Sequence, residues 1–96
     1  MFRSGAIRAG SKIKAVYKRL PGIGLRVAAR IAIHNGNLIK AEDILRLAIE
    51  RDPTNTTLLF TRMDVRKRLG DEAGAARDES RIRELDKEAE RLGWLS

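Results

Sequence analysis

Apolar side chains recur at helical spacing along most of the chain, and turn residues break the pattern at short intervals. Ser11 is a candidate N-cap, and Ile13, Val16, Tyr17 and Leu20 follow at i, i+3, i+4 and i+7, predicting a short first helix. Pro21-Gly22-Ile23-Gly24 interrupts it. Leu25, Ala28, Ile31 and Ala32 resume the stripe until Asn35-Gly36 supplies a left-handed stop. A third helix, opened by Asn37, carries Ala41, Ile44, Leu45 and Ala48 and ends at Asp52-Pro53. Thr54-Asn55-Thr56 opens a fourth with Leu58, Leu59, Met63, Val65 and Leu69, closing at Gly70. From Asp71 a long fifth helix runs through Ala75, Ile82, Leu85, Ala89 and Leu92 to Gly93, leaving Trp94-Leu95 to fold back over the last apolar layer. No strand is predicted. The short connections force successive helices to be antiparallel, so the expected fold is all-α, a row of about five helices in hairpins.

Self-similarity sharpens this picture. Leu25 recurs as Leu59, Gly36 as Gly70, Asn37 as Asp71 and Ala41 as Ala75, each 34 residues later. The stretch from Gly36 to Pro53 resembles the second half of a tetratricopeptide (TPR) repeat. In that family a Gly ends helix A, small residues let helices A and B approach, and a Pro stops helix B. Gly36, Ala41, Ala48 and Pro53 match those positions, with Leu25 in place of the usual aromatic. The resemblance implies a short right-handed solenoid with repeat one at 22–55. Repeat two and a C-terminal capping helix would occupy 56–96. Repeat two departs from the pattern at Glu79, Ile82 and Lys87, so its polar final helix suits a terminal cap. Residues 11–20 stand where helix B of a preceding repeat would lie.

The family implies a non-enzymatic protein-protein interaction or scaffold module. Its concave surface, lined mostly by helix A residues, would here present Arg26, Arg30, Arg62 and Arg66 to an acidic peptide or protein surface. A little under two and a half repeats is fewer than such stacks usually need, so self-association or a larger assembly, with this chain as a small subunit, would supply missing burial.

Composition narrows the function class. With 96 residues and no cysteine, one domain is expected, without a disulfide framework or a Cys-based metal site. A chain of this size has a thin core and little room for an enclosed catalytic cleft, so an enzyme, a metal and a cofactor are not expected. His34 lies alone at a helix end, and the serines lack His-Asp company. The start of the chain lacks the apolar centre of a secretory signal, which makes the cytoplasm the expected location.

The net charge of +7 is unevenly spread. Residues 1–41 hold nine basic side chains and no acidic one, whereas 42–96 hold 11 basic and 13 acidic, so the first part carries +9 and the second −2. Such a cationic end seeks an anionic partner, whether an acidic protein, nucleic acid or an anionic membrane surface. Residues 1–10 form a basic N-terminal arm in which Met1, Phe2, Arg3, Ile7 and Arg8 suit docking on a membrane or a partner.

Leu20-Pro-Gly-Ile-Gly-Leu-Arg-Val-Ala-Ala-Arg-Ile31 also resembles the hairpin of helix-hairpin-helix modules. That resemblance implies phosphate held at Gly22 and Gly24, with Lys18, Arg19, Arg26 and Arg30 supplying cations around it. The alternative reading of the same residues is a plain turn between two helices.

Overall fold

The computed structural model describes residues 17–93, within which every regular element is helical and no strand occurs. Four helices follow one another: α1 (Gly22–His34), α2 (Leu38–Arg51), α3 (Thr56–Leu69) and α4 (Glu72–Gly93). The helix expected at 11–20 lies outside the described residues except for its last four. Trp94 and Leu95 also lie outside them. Each described helix packs chiefly on its chain neighbours, α1 on α2, α2 on α3 and α3 on α4. The architecture is two helical hairpins side by side.

Local chemistry sets the boundaries. Pro21 takes the N-cap of α1 with φ −66° and ψ 165°, and its carbonyl accepts from the Leu25 amide at 3.0 Å. The chain ahead of it is held by the Arg51 guanidinium, which donates to the carbonyls of Lys18 and Leu20. Asn37 Oδ1 caps α2 by accepting from Lys40 N, and Asn55 Oδ1 caps α3 by accepting from Thr57 N and Leu58 N. Asp71 Oδ1 accepts from Gly74 N at 2.9 Å at the start of α4.

The ends of α1 and α3 are copies of one another. Gly36 and Gly70 have φ of 76° and 84°, a left-handed conformation that glycine adopts without strain. The following amides, Asn37 N and Asp71 N, each reach back 2.8 Å to the carbonyls of Ala32 and Arg66, closing the same terminal turn.

The main core joins Leu25, Ala29 and Ala32 of α1 to Ala41, Ile44, Leu45, Leu47 and Ala48 of α2, and Leu58 and Val65 of α3 enter it from the second hairpin. A smaller cluster of Leu59, Ile82 and Leu85 closes the second hairpin, bridged to the first by Ile49. Ala41 and Ala75, the small residues at the two hairpin crossings, are both buried. Four expected apolar positions, Ile31, Leu69, Ala89 and Leu92, are exposed. Ile31 is 56% exposed because the described core lies on the opposite side of α1. Leu92, 55% exposed, borders a shallow depression with Thr54 and Thr56.

Leu25 belongs to this core and has no exposed surface. Leu25→Ala is expected to lower the unfolding free energy by about 2–5 kcal/mol, measured by urea titration of the circular dichroism signal. A loss below about 1 kcal/mol would place Leu25 at the surface.

Candidate recognition surface

The 34-residue register shows what distinguishes the second hairpin from the first. Ala28, Ala32 and Ile44 have as their counterparts Arg62, Arg66 and Asp78. An apolar set is thus replaced by charged side chains at positions facing the hairpin interior. Asp78 is only 2% exposed, and an ionised carboxylate survives such burial only when paired and hydrogen-bonded.

Both arginines supply that pairing. Arg62 donates from Nε to the two Asp78 oxygens at 3.2 and 3.1 Å and from Nη2 to Oδ1 at 2.6 Å. Arg66 donates from Nη1 to Asp78 Oδ2 at 3.3 Å and to the Gly74 carbonyl at 3.2 Å. Its Nε reaches Glu42 Oε2 on α2 at 3.0 Å, tying the second hairpin to the first. Asp71 Oδ2 lies 3.8 Å from the same Nε. Gly74 leaves room for this arrangement, since a Cβ there would lie 2.2 Å from Asp71 Oδ2 and 3.0 Å from Arg66 Cδ. Among the described residues no buried side-chain nitrogen or oxygen lacks a partner.

The four arginines expected on one recognition surface therefore occupy two environments. Arg62 and Arg66, 16% and 13% exposed, are engaged within the protein. Arg26 and Arg30 are exposed on α1 and form no ion pair with a described residue. They border an open groove between α1 and α3, whose floor is Ala29, Ile33, Leu45 and Leu58 and whose far wall carries Thr57 and Thr61. The Thr61 hydroxyl donates to the Thr57 carbonyl at 2.9 Å, which leaves its oxygen lone pairs as acceptors. Two guanidiniums one helical turn apart above an apolar floor suit a segment with carboxylates and a small apolar side chain.

Gly22, Ile23 and Gly24 form the first turn of α1, where the amides of a helix start point outward. Lys18 and Arg19 are exposed just before it. Neither glycine has positive φ, and a Cβ at Gly22 would meet nothing within 4 Å, so the protein's own packing does not demand glycine there. Tyr17 packs at the edge of the main core with Lys40 Nζ 5.6 Å from its ring centre. His34 is exposed in the last turn of α1, where a cation suits the helix dipole. Arg81–Glu84 and Arg83–Glu79 pairs line the exterior of α4. Among the described residues no cluster of three or more His, Asp or Glu side chains gathers where a metal ion would be held. No described helix is long and apolar enough to cross a membrane.

Asp78 was not among the site residues expected from the sequence, although a signal was present. Placing Asp78 in the register of Ile44, with arginines in the registers of Ala28 and Ala32, pairs opposite charges across the second hairpin. Comparison with protein-family models, curated proteins and solved structures finds no match for the chain.

Asp78→Ala would strand two arginines in the interior and is expected to cost about 3–5 kcal/mol in chemical denaturation. Replacing the trio together, by Arg62→Met, Arg66→Met and Asp78→Leu, is expected to recover most of that loss. A near-zero effect of Asp78→Ala would show that the carboxylate meets water instead of the arginines.

Proposed function

We propose that this chain is a non-enzymatic, TPR-like interaction module, a small subunit of a larger assembly, which holds an acidic segment of a protein partner in the groove between α1 and α3. The observation that carries this reading is the pair Arg26 and Arg30, exposed and unengaged by any described carboxylate at the edge of an apolar-floored groove. The recurrence of helix ends and buried alanines 34 residues apart supports the TPR-like part of the reading.

A segment with two carboxylates about one turn or two extended residues apart would meet Arg26 and Arg30, while an alanine- or valine-sized side chain rests against Ile33. Charge gives the encounter its rate and its salt dependence, and the apolar floor slows dissociation. Arg62 and Arg66 support this site by fixing α3, the far wall of the groove.

The expected result with a fluorescent peptide of alternating Glu and Ala is saturable anisotropy that weakens as salt rises. Arg26→Glu with Arg30→Glu should reduce affinity about tenfold or more while leaving the thermal midpoint within a few degrees. Unchanged affinity in that double variant would remove the groove as the binding site.

A second reading rests on the exposed Lys18 and Arg19 beside the outward-pointing amides of α1. It makes the turn a binder of nucleic-acid backbone without base preference. Random-sequence duplex titrated at ~50 mM salt would then bind and be lost at ~200 mM, with Lys18→Glu and Arg19→Glu abolishing the signal. No binding at the lower salt would eliminate this reading.

A further inference from the structure

Two ridges of opposite sign stand on different helices of this chain. On α1, which contains no acidic residue, Arg26 and Arg30 are exposed one turn apart without an ion pair to any described residue. On α4 the exterior carboxylates fall into two groups. Glu79 and Glu84 are paired with Arg83 and Arg81. Asp86, Glu88 and Glu90 are exposed and form no ion pair with a described residue. Glu90 stands in the last turn of α4, where the helix dipole disfavours a carboxylate and favours a cation beside it.

We propose that the occupant of the α1–α3 groove is a second copy of this chain, whose α4 enters by its Asp86–Glu90 ridge, so that copies associate head to tail; this rests on the groove's taking carboxylates. Asp86 and Glu90 are four residues apart on one helix, as Arg26 and Arg30 are, so both ridges rise by the same ~6 Å and meet pair for pair. Ala89 is exposed beside both carboxylates and supplies the small side chain that rests against Ile33. Lys87 and Arg91 each lie about 100° further round α4 and leave the carboxylate ridge clear. Charge excludes the occupant nearest in sequence. Residues 1–16 carry Arg3, Arg8, Lys12 and Lys14 and no carboxylate, so the groove arginines repel them. Tyr17, where the described chain begins, adjoins Ala28, Ile31 and Ala32, the margin of α1 away from Arg26 and Ile33. The contact is heterologous. It joins α1 and α3 of one copy to α4 of the next, leaving a free groove and a free ridge from which assembly continues.

The test is sedimentation velocity of the full chain at ~50 mM salt, from about 10 µM to about 1 mM protein. The weight-average mass is expected to rise with concentration past that of a dimer and to fall back at ~300 mM salt. Arg26→Glu with Arg30→Glu, and separately Asp86→Lys with Glu90→Lys, place like charges at the contact, so each variant alone should stay monomeric. An equimolar mixture of the two meets opposite charges at every contact and should recover the assembly of the unmutated chain. Arg26→Gln with Arg30→Gln, which should weaken association about tenfold or more, serves if a charge reversal loses its circular dichroism signal. The proposal is overturned if the unmutated chain stays monomeric throughout, or if its assembly survives either reversal. The Glu-Ala peptide separates this outcome from failure of the groove itself. Peptide bound by a chain that stays monomeric removes only the second copy as occupant, whereas absence of peptide binding together with an unchanging mass removes both.

Discussion

A buried carboxylate between two arginines holds the second half of this protein in place. Asp78 has almost no access to water, so its charge is tolerable only because Arg62 and Arg66 donate to it from α3. Arg66 also reaches Glu42 on α2, so one guanidinium spans the junction of the two hairpins. Hydrogen bonds between ionised partners in such surroundings are directional and costly to break singly. They set the rotation of α3 about its axis, and with it which residues face the groove and which face α4. Apolar packing alone specifies such a rotation less sharply.

The two hairpins thus solve one geometric problem with different chemistry. In the first, Ala32 and Ile44, with Ala28 packed against them, belong to an aliphatic core of eight buried residues from α1 and α2 joined by Leu58 and Val65 of α3. In the second, the charged trio takes those places and leaves an apolar cluster of only Leu59, Ile82 and Leu85. Apolar burial favours folding over a wide range of conditions, whereas an ion cluster adds specificity at little net gain over an aliphatic set. The consequence is a division of labour: the first hairpin holds most of the aliphatic core, and the second orients α3, whose Thr57 and Thr61 face Arg26 and Arg30 across the groove.

Much of the architecture could be read from residue patterns, because helix ends depend on local chemistry. Asn37 caps α2 as its place before the stripe suggested, and Gly36 and Gly70 adopt the left-handed turns expected of glycine after a helical run. Ala41 and Ala75 are buried where helices cross, as small residues allow. The opening of α3 was narrowed by the structure to Asn55, the one side chain of Thr54-Asn55-Thr56 that accepts from the first-turn amides. Periodicity was a poorer guide to the outer face of α1. It groups Ile31 with Leu25 and Ala32, yet a helical stripe has two margins, and only packing decides which is covered. Charge was the least legible feature. Four arginines on α1 and α3 look alike in sequence, and the distinction between engaged Arg62 and Arg66 and unengaged Arg26 and Arg30 depends on Asp78 and Glu42 arriving from other helices.

The direct measure of this account is the exchange of the arginine Nε protons with water, followed by NMR on the intact chain. Engaged with Asp78 and Glu42, the Nε protons of Arg62 and Arg66 should exchange at least about tenfold more slowly than those of Arg26 and Arg30 and should show shifted, dispersed resonances. Four arginines with the same rapid exchange and unshifted resonances would mean that the ion cluster does not form, and the orientation of α3 would lose its explanation.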